Sequence, residues 1–171
     1  MRKLIALGIS AAVIATPCMA ESTPISTCLT TSDARALFTF AIPSALDGVI
    51  KTCSPDLPEN AFMRVKGAET LQRYRAAAAG SWPGARIAFL KVAGNGKDAQ
   101  VLSGMSDKAM QPFVAEMLTG VVAKDVKPSS CQKIDQFVAA LAPVSSGDVA
   151  GIVATLMNLA DGREDSSLKM C

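Results

Sequence analysis

Gly94-Asn95-Gly96-Lys97, within "VAGNGKDA", has the residue types of a phosphate cradle. Glycines let a backbone approach an anion, and the lysine supplies charge. A Walker loop would put its first glycine at position 91 and a hydroxyl residue at 98, where Lys91 and Asp98 stand. Gly94-x-Gly96-x-x-Ala99 matches the dinucleotide fingerprint, but that motif needs a strand before it and parallel strands after it. The residues that follow are patterned as helices. Gly94 and Gly96 are therefore expected to turn the chain after a helix, since glycine adopts positive φ without steric cost.

Histidine is absent, which removes Ser-His-Asp and Cys-His nucleophiles and the commonest zinc ligand. Carboxylate chemistry stays open, and so does a Ser-Lys pair. Asp161-Gly162-Arg163-Glu164-Asp165 is the densest acidic run, but its spacing is not that of a calcium loop and Arg163 interrupts it. Ser129 and Ser130 stand near Lys127 and Lys133 without forming an S-x-x-K motif. Met63, Met105, Met110, Met117, Met157 and Met170 are too dispersed for a copper site; Met110 and Met117, seven apart, read as one packed helix face. No catalytic residue, cofactor or metal is assigned, and the expectation leans away from an enzyme.

The cysteines carry more information. The opening "MRKLIALGISAAVIATPCMA" has a basic head at Arg2 and Lys3, an apolar run from Leu4 to Ala15, and small Ala20 after Pro17. This is the layout of a cleaved secretory signal over residues 1–20, leaving 21–171 as one domain in the periplasm or outside the cell. Cys28, Cys53, Cys131 and Cys171 then remain, an even number that suits two disulfides in an exported chain. Sequence proximity favours Cys28–Cys53 and Cys131–Cys171.

Losing Arg2 and Lys3 takes the 17 basic residues to 15, against 15 acidic ones, for a net charge of zero. Neutrality and few aromatics argue against nucleic acid as a partner. The charge is uneven, however. Residues 60–99 hold seven basic side chains against Glu69 and Asp98, and Arg64, Lys66, Arg73, Arg75 and Arg86 form a candidate face for an anionic partner.

The elements that would position these groups are helical. "SDARALFTFAIPSALDGVIKTC" opens on a Ser32 cap, and Pro43 should kink or split it. "AETLQRYRAAAAG" is an alanine-rich helix closed by Gly80. "SWPGARIAFLKV" is assigned as a third helix despite some strand character. "SDKAMQPFVAEMLTGVVAKDV" is a fourth. In "CQKIDQFVAALA", Ile134, Phe137, Val138 and Leu141 fall at i, i+3, i+4 and i+7, the cleanest amphipathic stripe in the chain. "DVAGIVATLMNLA" has no charge from 149 to 160 and is expected to be the central core helix.

The fold expected is all-α, a bundle-like domain of five to six helices stapled by two disulfides, with no transmembrane segment in the mature part. The function expected is a non-catalytic interaction or structural component of the cell envelope with an unidentified protein or envelope partner. A carrier of an apolar or amphipathic small ligand, with 149–160 lining a closed cavity, is the first alternative. A histidine-free hydrolase is the second.

Overall fold

The computed structural model describes residues 28–94, 97–160 and 169–171. The signal-like residues 1–20 and the acidic run 161–165 lie outside the described residues. Seven α-helices follow in order among the described residues: α1 (Thr31–Cys53), α2 (Phe62–Ala78), α3 (Trp82–Ala93), α4 (Lys97–Gly104), α5 (Asp107–Asp125), α6 (Cys131–Leu141) and α7 (Ser146–Ala160). Among the described residues there is no strand, only a one-residue parallel bridge between Leu29 and Met170. The fold is all-α, as expected, and α4 takes the helix count to seven.

The central helix is α1, not α7. It packs against α2, α3, α5 and α7, and its buried residues lie on every side of it, from Ala34 and Leu37 to Ser44, Gly48 and Cys53. Residues 31–56 are long and apolar enough to cross a membrane by length and composition, but four neighbouring helices account for that apolarity. Pro43 does not split the helix, which runs through it with the ring buried. By contrast, α7 turns Ala150 and Ala154 inward and leaves Ile152, Leu156 and Leu159 exposed.

The cap of α1 is Thr30 rather than Ser32. Thr30 Oγ1 accepts from the Asp33 amide at 3.1 Å, and Asp33 accepts from the Thr30 amide at 2.9 Å, a reciprocal capping box. Asp33 also accepts from Lys91 Nζ of α3 at 2.6 Å, tying the start of α1 to the end of α3. Burial alone would raise the Asp33 carboxyl, but the hydrogen bonds from Lys91 and Thr30 outweigh it and hold the group below its ordinary value. A depressed carboxyl contributes stability above the unfolded-state value, about 3.9, and loses it as pH falls through the folded value. Asp33→Asn is therefore expected to lower stability at pH 7 by about 1–2 kcal/mol. The gap from wild type should shrink below about pH 4. Urea unfolding of both proteins from pH 7 to pH 2 reads this directly, and a gap constant with pH would refute the assignment.

Gly94 ends α3 at φ +73°, its amide bonded to Leu90 O and Lys91 O. The turn expected at Gly94 is thus present, while Asn95 and Gly96 lie outside the described residues. Ser81 precedes α3 as expected, but its hydroxyl donates back to Ala78 O instead of capping.

The disulfides pair differently from the sequence expectation: Cys28 with Cys171, and Cys53 with Cys131. The first joins the two ends of the described chain, where Leu29 N donates to Lys169 O and Cys171 N to Leu29 O. The second joins the end of α1 to the start of α6. Sequence proximity failed as a guide because α1 is long enough to carry Cys28 and Cys53 to opposite ends of the molecule.

Candidate binding site

The helix with the cleanest apolar stripe does not bury it. Only Cys131 of α6 is fully buried, and Phe137 is 63 % exposed. Cys131 is bonded to Cys53, and α6 runs back along α1 from there. Ile134, Phe137, Val138 and Leu141 consequently face Ile42, Ala45, Leu46 and Val49 across an open groove of about 320 Å³. Seven residues at 1.5 Å each give its walls a length of about 10 Å. Tyr74 of α2 and Val149 of α7 complete the lining.

Polar clamps explain why α6 does not collapse onto α1. At its first turns, the Asp135 carboxylate accepts from the Phe62 and Met63 amides at 3.2 and 2.7 Å. This caps α2, whose N-cap residue Ala61 has no side chain able to do so. At the other end, Tyr74 Oη donates to Leu141 O at 2.9 Å and lies 3.1 Å from Val144 O, while Arg73 donates to Ala142 O. Cations and donors at a helix C-terminus satisfy its free carbonyls. Burial pushes the Tyr74 phenol above its ordinary value, partly offset by Arg73, so it remains a donor. With that hydroxyl committed, the groove is lined by apolar surface.

The other candidates are less organised. The basic residues do not form one face. On α2, Arg64 and Arg75 fall on one side of the buried stripe and Lys66 and Arg73 on the other, as 3.6 residues per turn requires. Each also has an internal partner: Arg64 donates to Leu57 O, Lys66 pairs with Glu69, and Arg75 pairs with Asp47. Arg86, on α3, bonds Ser103 O and lies 3.1 Å from Asp107. Asp47 and Glu116 line one cleft between α1, α2 and α5, but Asp47 is held by Lys51 and Arg75, each at 3.1 Å. Ser129 and Ser130 sit in a 3-10 turn with Lys127 before it and Lys133 in the first turn of α6. The Ser130 amide donates to Lys127 O at 2.9 Å, closing that turn, but among the described residues no hydrogen bond joins a hydroxyl of those serines to the side chain of either lysine. There too, no group of three or more His, Cys, Asp or Glu side chains is placed to hold a metal.

The closed cavity expected along 149–160 is not what forms. The α1–α6 groove is open and takes Val149 alone from α7, while Gly151, Ile152, Ala154, Thr155 and Leu156 line a separate open cleft of about 490 Å³ with Thr31 and Arg35 of α1. Asp135 and Tyr74, which help set that groove, were not singled out by motif or spacing, and Arg73 was singled out only as part of the candidate face for an anionic partner. The stripe on α6 was the one sequence signal pointing to the groove.

Comparison of the chain with known protein families, with curated proteins and with solved structures finds no match.

Proposed function

We propose that the chain is an exported, non-catalytic binding protein of the periplasm or extracellular space, and that the α1–α6 groove takes an apolar or amphipathic small ligand. The observation that carries this reading is the amphipathic stripe of α6, held off α1 by a disulfide at one end and hydrogen bonds at the other. Its volume is near the lower end for small-molecule sites, and a largely preformed apolar cleft is typical of them. The paired cysteines suit an oxidising compartment.

Titration with an environment-sensitive apolar dye tests the reading. Wild type is expected to bind saturably with one site. Ala45→Trp, which fills the groove from its α1 wall, should weaken that site at least about tenfold, or about 1.4 kcal/mol, at an unchanged thermal midpoint. Unsaturable binding by wild type, or equal affinity in the variant, would remove the groove as the site.

Two further stripes favour a second reading, an interaction component of the cell envelope. Phe113, Met117 and Val121 lie four apart on the outer face of α5, and Ile152, Leu156 and Leu159 are exposed on α7. Native mass spectrometry of protein taken from its own compartment distinguishes the two, by a bound small molecule or by a stoichiometric partner.

A further inference from the structure

The two disulfides differ in what can reach them. Cys53 and Cys131 are 0 % and 2 % exposed, walled by Leu57 and Met63 with Val49, Val126 and Ile134 against them. Cys171 is exposed and Cys28 half-buried. Thiol–disulfide exchange requires a thiolate to reach one sulfur, with the other sulfur leaving, so access controls its rate. The chain therefore carries one enclosed cross-link and one that is open to solvent.

The surroundings of the open bond make its cleavage reversible. Leu29 and Met170, beside the two cysteines, are buried at 1 % and 5 % in a cluster with Ala34, Leu37, Ala88 and Ala154. The backbone bonds Leu29 N to Lys169 O and Cys171 N to Leu29 O, both 2.8 Å, do not depend on the sulfurs. When the S–S bond breaks, these contacts keep the two thiols near each other, so re-formation is intramolecular.

We infer that Cys28–Cys171 is a thiol–disulfide exchange site for a protein dithiol, attacked at Cys171, while Cys53–Cys131 is inert in the folded state. The dithiol's thiolate bonds to Cys171 Sγ as the Cys171–Cys28 bond breaks, and Cys28 leaves as a thiolate that takes a proton from water. The second thiol of the dithiol then attacks the mixed disulfide, releasing Cys171 as a thiol. The two electrons gained by this chain come from the dithiol, which leaves oxidised to a disulfide. The inference is independent of the groove: a dye-binding failure leaves it standing.

Graded dithiothreitol treatment of the folded chain, followed by alkylation and peptide mass mapping, tests it. Cys28 and Cys171 are expected to label at least about tenfold faster than Cys53 and Cys131. Helical circular dichroism should persist, and removing the reductant in air should restore the bond. Equal labelling of all four, earlier labelling of Cys53 and Cys131, or labelling only as the helices melt would overturn the assignment. To locate the attacked sulfur, Cys28→Ser and Cys171→Ser each leave one thiol of the pair for reaction with a chromogenic disulfide. Cys171 in the first should react faster than Cys28 in the second, and the reverse order would overturn attack at Cys171.

Discussion

Gly48→Ala is expected to destabilise the protein by about 1–3 kcal/mol, the usual range for overpacking, even though alanine is the better helix former. A Cβ at position 48 would meet Thr119 O at 2.6 Å, Ala123 N at 3.2 Å and Val122 Cβ at 3.3 Å. Two of these are backbone atoms, so no rotamer change relieves the contact and α5 must move away from α1. That movement strains more than one contact. Ser44, Gly48 and Thr52, four apart on α1, form the crossing with Thr119 and Ala123 of α5. Thr119 Oγ1 shares its one proton between Ala115 O of its own helix at 3.0 Å and Ser44 O at 3.2 Å, and Thr52 Oγ1 donates to Ala123 O at 3.2 Å. Both interhelix bonds depend on the close approach that Gly48 permits. Gly120→Ala supplies the opposite sign, because nothing lies within 4 Å of a Cβ there. Helix propensity alone should then stabilise by about 0.8–1 kcal/mol. Urea midpoints read both changes, and a Gly48→Ala protein as stable as Gly120→Ala would mean the helices do not cross at this distance. Gly48→Leu should exceed the alanine effect, since its larger side chain has no space to enter.

The features legible in the sequence are those set by neighbours along the chain. The i, i+3, i+4, i+7 pattern of α6 and Gly94 at the end of α3 each follow from local geometry, and each is present. What was illegible depends on which surfaces the folded chain brings together. The apolar segment 149–160 suggested a helix covered on all sides, because composition gives apolarity without saying which helix is central. α1 has that place, carrying small residues where α5 approaches and large ones elsewhere. The basic residues of α2 were grouped by sequence window, whereas helical rotation splits them about a buried stripe. Asp135 could not be found as a cap, since its target amides lie more than seventy residues earlier. The groove itself was half legible: the α6 stripe could be read, but not that clamps at both ends would leave it open.

Replacing Cys53 and Cys131 together by alanine is the change expected to cost most and to reveal most about the groove. The two cross-links span sequence separations of 78 and 143 residues, for which chain entropy alone gives about 4.5 and about 5 kcal/mol. Loop length therefore hardly separates them, and packing does. The Cys53–Cys131 bond sits inside a buried cluster with Leu57 and Met63, so its removal adds a cavity to the entropic loss. The bond is also the covalent tether of α6, which otherwise rests chiefly on α2 through Asp135, Arg73 and Tyr74. A double variant is thus expected to keep most of its helical signal, to lose about 4 kcal/mol or more in urea unfolding, and to lose the dye site as α6 shifts and its stripe closes on α1. Cys28→Ala with Cys171→Ala should lower stability by less, since Cys171 is exposed and no buried cavity is added to the entropic loss, and should leave the dye site intact, because the Cys28–Cys171 bond lies at the opposite end of α1. If both double variants bind dye like wild type, the disulfide is not what holds the groove open, and the hydrogen bonds to the last turn of α6 must suffice. If both abolish it, the site depends on global stability instead of on the position of α6.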